Sequence, residues 1–154
     1  MAEPAGPADP PDPGRGRRLG IDVGSVRVGV ALSDPDGLLA TPLVTVARDV
    51  EGGTDLRAIA DLVAEHEAVQ VVVGLPRTLA GREGPAAEAA RAFVAALTGV
   101  LDVPIALSDE RLTTVVATQQ MRASGRKGRR QRAVVDQVAA VAILQGWLDL
   151  RRSR

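Results

Sequence analysis

Three carboxylates stand in otherwise apolar surroundings in this sequence of 154 residues: Asp22, Glu110 and Asp136. Asp22 lies inside the stretch LGIDVGSVRVGVALSD, Glu110 ends the stretch PIALSDE, and Asp136 lies inside AVVDQVAAVAILQGWLD. An ionised carboxylate is costly to bury unless it is paired, hydrogen-bonded or bound to a metal ion. Each of the three acids therefore needs a cation, a donor or a wet cleft, and each is a candidate functional residue.

The ligand chemistry available to these acids is oxygen chemistry. The chain has no Cys and one His, His66, which we expect at the surface near a helix end. Carboxylates gathered in one place repel one another and raise each other's pKa, and a divalent cation removes that repulsion. Oxygen ligands without His or Cys favour Mg²⁺ or Mn²⁺ over zinc. The three acids therefore predict a magnesium or manganese site wherever the fold brings them together.

Asp136 has a second interpretation. On a helical wheel it shares one side with Ala140, Ile143 and Trp147, and most of the surrounding residues are apolar, as in a buried helix. A carboxylate near a helix start can instead complement the helix dipole, which contributes about 0.3–1 kcal/mol. Both interpretations of Asp136 stay open on the sequence alone.

Asp22 also has a second interpretation. An Asp-x-Gly-Ser turn can cradle nucleotide phosphates, as in sugar kinases and actin-like ATPases, with Asp22 positioning Mg²⁺ and the backbone of Gly24 and Ser25 contacting phosphate. Such proteins need two lobes, and no second Asp-x-Gly element follows residue 37. Phosphotransfer is therefore a minor hypothesis.

Periodicity predicts the elements that must position the acids. Apolar alternation and tight turns predict an antiparallel meander of strands over about 18–23, 27–32 and 38–46. Buried strands then alternate with helices, which predicts one mixed five-stranded sheet, three antiparallel strands plus two parallel ones, with helices on both faces. The later elements are a helix capped by Thr54, a strand over 69–76, a helix over 84–98, a strand over 103–110, a helix from Thr113 or Thr114 to Arg122, and a last helix over about 131–150. Ligands of such sheets gather beyond the carboxyl ends of the strands, near Asp22 and Glu110.

The formal net charge is zero, but the charges are segregated. Seven basic residues and no acid lie between residues 111 and 135: Arg111, Arg122, Arg126, Lys127, Arg129, Arg130 and Arg132. Such a segment suits the phosphates of a nucleic acid, whose contacts give affinity and salt dependence rather than sequence specificity. The alternatives are a solvated charged loop and, for Arg111, an ion pair with Glu110. With only two aromatic residues, the chain offers no platform for base stacking.

Composition predicts three regions. Five of the ten prolines lie in the first 13 residues, so residues 1–17 are expected to form a disordered tail before a domain over 18–150 and a basic tail over 151–154. No apolar run approaches a membrane span, and the first residues carry no secretory signal pattern, so we expect a cytoplasmic location.

Four segments resemble the YqgF/RuvX family in order and spacing: RLGIDVGSVRVGVALSD, VVVGLPRTLAGREG, LSDERLTT and AVVDQVAAVAILQGWLD. The resemblance covers about residues 18–150 and implies an RNase H-like nuclease domain. It also implies that Asp22, Glu110 and Asp136 form a catalytic, metal-binding triad. One difference is that Thr78 and Ala80 stand where many relatives have Asn and Asp, which removes polar groups from that loop.

The family is described both as Holliday junction resolvases and as nucleases acting on the 5′ end of the small-subunit ribosomal RNA precursor. The resemblance therefore implies two-metal phosphodiester hydrolysis with Mg²⁺ or Mn²⁺. We favour processing of pre-16S rRNA, with junction resolution or binding to nucleic acid with weak catalysis as alternatives, and with the small ribosomal subunit as a possible partner. The residues do not distinguish RNA from DNA and do not define the oligomeric state.

Two turns beside the predicted strand ends are candidates to lie against the substrate. These substrate-loop residues are Gly24, Gly74, Leu75 and Pro76. Gly74-Leu75-Pro76 follows a buried strand and can turn the chain close to a bound strand of nucleic acid, or it can be a plain turn.

Overall fold

The computed structural model of the chain describes residues 10–77, 80–110 and 129–154, and for 129–134 the backbone alone. Five strands and three helices lie in these residues. They are β1 Arg18–Val23, β2 Arg27–Ser33, β3 Ala40–Ala47, α1 Thr54–His66, β4 Gln70–Leu75, α2 Pro85–Thr98, β5 Ile105–Asp109 and α3 Arg129–Arg152. The helix predicted to end at Arg122 lies outside the described residues, as do Arg111, Arg126 and Lys127.

The five strands form one sheet in the order β3-β2-β1-β4-β5. β1, β2 and β3 are antiparallel neighbours, and β4 and β5 run parallel to β1. The predicted meander followed by parallel strands is therefore confirmed, with each strand boundary within two residues of its predicted place. β1, β4 and β5 end on the same side of the sheet, which we call its carboxyl end.

Alternation along the strands divides the core into two layers. One face of the sheet is apolar and packs against α1 and α2. Its strand residues include Leu19, Ile21, Val28, Val30, Val71 and Val73, and the helices contribute Ile59, Val63, Phe93 and Leu97. The other face packs against α3. Helices thus cover both faces, as predicted, and none of the described helices is both long and apolar enough to cross a membrane.

The face beneath α3 is built from small residues. A Cβ placed on Gly20 would lie 2.6 Å from the Cβ of Leu144, and one placed on Gly74 would lie 2.5 Å from Cδ1 of Ile143. A Cβ on Gly29 would collide with the main-chain oxygen of Asp136. The helix therefore lies directly on the backbone of the sheet, with its Asp136 region over the β1–β2 pair near the carboxyl end.

Residues 10–17, predicted as part of a disordered tail, contact the opposite end of the sheet. The Gly16 N–H donates to the carbonyl of Pro35 (2.9 Å). Asp12 accepts hydrogen bonds from Arg18 on β1 and from Arg151 on α3. Arg18 is fully buried, and Asp12 supplies a counter-charge for its guanidinium. The difference from the prediction arises because this charge partnership holds a Pro-rich segment that has little apolar surface of its own.

The end of the chain also differs from the predicted basic tail. α3 continues through Arg152, so Arg151 and Arg152 belong to its last turn. Arg152 donates to the carbonyl of Gly37 (2.8 Å) and to Asp149 (2.6 Å). The first of these contacts attaches the last turn of α3 to the β2–β3 turn, and the second lies within the helix.

Candidate metal and nucleic-acid site

The three candidate acids are all buried polar residues. Asp22 is 4% exposed, and Glu110 and Asp136 are each 3% exposed. Their elements bring them to one face of the sheet, the face covered by α3, and to one end of it, the carboxyl end.

Asp22 lies one residue before the end of β1, level with Gly29 on β2. Side chains on a strand alternate between faces, so Asp22 lies on the same face as Gly20, which contacts α3. The small residues on this face let α3 pack directly on the strands beside the carboxylate. Leu19 and Ile21 fill the opposite face of β1 and anchor the strand in the core.

Glu110 directly follows β5. Its N–H donates to the carbonyl of Leu75 (3.2 Å), which continues the β4–β5 pairing by one residue. Its carboxyl carbon lies 3.1 Å from the position that a Cβ on Gly74 would occupy. Asp109, its neighbour, is exposed and its carboxylate contacts Arg77 (3.4 Å). The two adjacent acids therefore have different surroundings, and only Glu110 is buried.

Asp136 enters the site from α3. Its main chain lies against Gly29, and its Oδ2 accepts a hydrogen bond from Nε of Arg27 (2.8 Å). α3 begins at Arg129, so Asp136 lies beyond the first turn, to which the stabilising effect of a helix dipole is confined. The dipole interpretation therefore does not account for this acid. Its predicted companions Ala140, Ile143 and Trp147 are buried with it.

The chemistry of the three acids suits a hard divalent cation, because carboxylate oxygens are the ligands that Mg²⁺ and Mn²⁺ prefer. Across residues 10–77, 80–110 and 129–154, no three His, Cys, Asp or Glu side chains are close enough together to hold a metal ion as they are placed. The donors therefore fit such a cation, while their present spacing does not form a coordination group.

Arg27 is the site residue that sequence reasoning missed. It lies on β2 two residues before Gly29, and its side chain is 22% exposed. A signal was present: Arg27 alternates with valines and shares its face with Gly29 and Ala31. Small residues on one face of a strand indicate a closely packed neighbouring element, so a basic residue in that row contacts whatever that element carries.

The turn between β1 and β2 is held from two sides. The Gly24 N–H donates to the carbonyl of Arg27 (2.9 Å), which closes the turn. From the other side, the guanidinium of Arg48 donates to the carbonyl of Gly24 (3.0 Å) and to the buried carboxylate of Asp55 (3.2 Å). The turn that follows Asp22 is therefore tied to α1 by a shielded ion pair.

The end of β4 and the residues after it make contacts that stabilise the fold, and they are also candidates to contact the substrate. Leu75 is buried against Ala87 and Ala90 of α2, so its side chain packs the core. Glu83 accepts two hydrogen bonds from Arg91, which lower the pKa of its carboxyl to about 2. Arg77 also pairs with Glu83 (3.2 Å). A substrate-loop role for Gly24, Gly74, Leu75 and Pro76 stays a prediction.

Of the predicted basic segment, only the backbone of its last part is described. Arg129, Arg130 and Arg132 belong to the first turn of α3, the helix that carries Asp136 to the carboxyl end of the sheet. Arg111, Arg122, Arg126 and Lys127 lie outside the described residues. Their contact with nucleic acid also stays a prediction.

Known proteins are similar to this chain over most of its length. A family model described as "RuvX: Holliday junction resolvase" matches residues 16–150. Relatives named "Putative pre-16S rRNA nuclease" include one from Nocardia farcinica, 63% identical over 146 residues, and one from Rhodococcus jostii, 60% identical over 144 residues. Each alignment covers 91% of this chain and 81% of the relative. A third, from Mycobacterium ulcerans, is 57% identical over 155 residues, with 97% of this chain and 91% of the relative covered.

Among solved structures, the chain is similar to RuvC of T. thermophilus in complex with a Holliday junction substrate. The TM-score is 0.52 at 13% sequence identity, and the match covers 89% of this chain and 96% of that chain. At this identity the likeness concerns the fold, and it agrees with the RNase H-like arrangement of the sheet and helices.

Proposed function

Because the chain belongs to the RuvX family, we propose that it is a metal-dependent endonuclease that processes the 5′ end of pre-16S rRNA. The observation that carries this proposal is the set of three buried carboxylates, Asp22, Glu110 and Asp136, on one face at the carboxyl end of the sheet. The names of the relatives support the ribosomal RNA precursor as substrate. Residues 18–150 would form the nuclease domain.

The three carboxylates would hold the divalent cation, Mg²⁺ or Mn²⁺. When bound, such an ion activates water and stabilises the charge that develops on the phosphodiester. The protein contributes fixed negative charge from two strand ends and one helix. Gly29 and Gly74 keep side-chain bulk out of this region, and the packing of α3 on the sheet shields the carboxylates from water.

The basic residues would hold the nucleic acid. Arg129, Arg130 and Arg132 lead into the helix that carries Asp136, so a strand bound along them would lie near the carboxyl end of the sheet. Arg111, Arg122, Arg126 and Lys127 would extend the same positive region along the chain. Because such contacts are made to phosphates, they would provide affinity for RNA and DNA alike.

The direct test is cleavage of a single-stranded RNA that spans the 5′ processing region, with Mn²⁺ or with EDTA, for the wild type and Asp22→Asn. We expect the wild type to cut the RNA only with Mn²⁺. Asp22→Asn should lose this activity and keep its RNA affinity, since the substitution removes a ligand without changing volume. Asp61→Asn, an exposed position on α1, is the matched control and should cut like the wild type.

A four-way DNA junction in the same assay tests the second candidate function, which the description of the family model favours. Metal-dependent cutting of the junction without cutting of the RNA would make the protein a resolvase. Unchanged RNA cleavage by Asp22→Asn would contradict the assignment of the carboxylates. Binding without cleavage of either substrate would instead support a nucleic-acid-binding role.

Salt dependence tests the basic segment. Each phosphate contact on a single strand contributes about −0.7 to the slope of log K against log salt. Replacing Arg126, Lys127, Arg129 and Arg130 with Ala should therefore flatten the slope of RNA binding. Arg57→Ala, on the exposed side of α1, should leave it unchanged. An unaltered slope in the fourfold variant would show that these basic residues are solvated and do not contact the RNA phosphates.

A further inference from the structure

The guanidinium of Arg27 lies beside Asp136, one of the three carboxylates proposed to bind the metal ion. Its Nε lies 2.8 Å from Oδ2 of Asp136, and the two side chains are 22% and 4% exposed. A charge-assisted hydrogen bond in such a shielded place is stronger than one at the surface. The buried carboxylate of Asp136 thus has an internal counter-cation.

The backbones that carry this pair are fixed relative to each other. The carbonyl of Arg27 closes the β1–β2 turn by accepting from Gly24, and Arg27 is in register with Ala47 on β3. Two residues on, Gly29 lies against the main chain of Asp136 with no room for a Cβ. Strand and helix therefore have little freedom to part, and the contact between Arg27 and Asp136 can be released only by rotation of the side chains.

We propose that Arg27 is a positioning residue that holds Asp136 in the metal-free protein and competes with the divalent cation for its carboxylate. This inference rests on the proposed function, in which Asp136 is a metal ligand. Two cations on one carboxylate repel each other, and the guanidinium occupies one of the two oxygens with which Asp136 could bind a metal ion. In this proposal Arg27 would move away as the ion binds, and it would set the metal concentration at which the site forms.

If Arg27 competes with the metal ion, its removal should change the metal affinity in the opposite direction from the change expected if Arg27 only supports Asp136. If Arg27 only orients Asp136, its removal weakens metal binding. If it competes, its removal strengthens metal binding and at the same time destabilises the metal-free protein, because a buried carboxylate loses one charged hydrogen-bond donor. Metal should then stabilise Arg27→Gln against heat more than it stabilises the wild type.

The test measures Mn²⁺ affinity from the EPR signal of the free ion, with no substrate present. We expect Arg27→Gln to bind Mn²⁺ about tenfold more tightly than the wild type, and Arg27→Lys, which keeps the charge, to stay near the wild type. Arg151→Gln is the matched control. Arg151 is 20% exposed, lies on the same helix and pairs with Asp12 (2.6 Å) at the opposite end of the sheet. Its loss should leave Mn²⁺ affinity unchanged.

The outcomes separate this inference from the proposed function. If the wild type binds no Mn²⁺, both are overturned. If the wild type binds Mn²⁺, Asp22→Asn loses it, and Arg27→Gln binds equally or more weakly, the competition alone is overturned.

A second measurement needs no substitution and covers the case in which Arg27→Gln does not fold. In the wild-type protein, the Arg27 Nε–H resonance should move during a Mg²⁺ titration, with the same midpoint as metal binding. A resonance that stays in place while Mg²⁺ binds would overturn the proposal.

Discussion

At the scale of single residues, Gly29 is required by the way α3 crosses the sheet. It faces Asp22 across the β1–β2 pair and touches the main chain of Asp136. One position thus determines how closely two of the candidate metal ligands approach. A methyl group at this position would have to displace the helix that carries one of them.

Gly29→Ala should therefore destabilise the protein. Overpacking of a close contact costs about 1–3 kcal/mol, and urea unfolding followed by circular dichroism would measure it. The control is Gly99→Ala at the end of α2, where φ is −76° and the nearest other atom lies 3.5 Å from the new Cβ. Equal stabilities of the two variants would contradict the assigned contact.

The three buried acids of the site could be predicted from the sequence, but Arg27 beside them could not. The difference lies in what burial costs each type of residue. A carboxylate inside an apolar stretch is conspicuous because its burial is costly, so Asp22, Glu110 and Asp136 could be chosen without a structure. An arginine on a strand can point to solvent at little cost. Only the packing of α3 shows that Arg27 lies on the covered face.

At the scale of elements, Arg48 connects the start of α1 to the β1–β2 turn. Its guanidinium binds Asp55 and the carbonyl of Gly24, and it lies 5.3 Å from the ring centroid of Phe93. The side chains of Arg48 and Asp55 are 15% and 3% exposed. The ion pair is therefore shielded, and the two elements depend on each other through it.

Arg48→Ala should destabilise the protein by about 3 kcal/mol, because removing one partner leaves a buried charge uncompensated. The double variant Arg48→Ala/Asp55→Ala should lose less free energy of unfolding than the sum of the losses in the two single variants. Urea unfolding of the wild type, both single variants and the double variant gives the coupling energy. Strictly additive losses would show that the pair is not coupled.

The elements themselves were largely predictable, and the cap of α1 was not. Thr54 was expected to cap the helix, but the N-cap is Gly53, in the left-handed region at φ 72°, and no side chain caps it. The hydroxyl of Thr54 instead donates to Asp49 (2.6 Å), and this bond holds the pKa of Asp49 below its ordinary value. The sequence pattern predicts that the Thr54 hydroxyl caps the helix, but the hydroxyl donates to the Asp49 carboxylate in the preceding loop instead.

At the scale of the whole molecule, an Arg–Asp pair holds α3 near each end, to β2 at one end and to the segment 10–17 at the other. Arg27 binds Asp136 at the carboxyl end, and Asp12 binds Arg151 at the opposite end. Asp12 also contacts the buried Arg18, so it joins the segment 10–17, β1 and α3. This junction was not predictable, because its members are far apart in the sequence and two of them, Asp12 and Arg151, lie in regions whose composition indicates tails.

Asp12 gives the junction a pH dependence. The hydrogen bond from Arg151, with a smaller effect of the Gly14 N–H, holds the pKa of Asp12 well below its ordinary value of 3.8. A carboxyl with a lowered folded pKa stabilises the protein above its unfolded pKa, and this stability is lost as the pH falls toward the folded value. Since Asp12 is about half exposed, the contribution should be at most about 1 kcal/mol.

Asp12→Asn should therefore have a lower melting temperature than the wild type at pH 7. This difference in melting temperature should become smaller as the pH falls from 5 to 3. Thermal unfolding followed by circular dichroism measures both. The same variant should be cut faster by trypsin after Arg15 and Arg17, because the segment is less firmly attached. A melting difference that does not change with pH would assign the effect of Asp12 to packing rather than charge.

Trp147 is an intrinsic fluorescent probe of how α3 packs on the sheet. It is the chain's one tryptophan, there is no tyrosine, and the indole is buried on α3 with Arg18 5.7 Å from its ring centroid. Eleven residues of helix separate it from Asp136, which is about 16 Å along the axis. Its fluorescence should thus follow the docking of α3 and of the segment 10–17. Because Glu110 lines the same cavity as the indole, a change at that carboxylate should reach the fluorescence as well. A spectral change on adding RNA would therefore report either binding on the Glu110 side of the three carboxylates or a movement of α3.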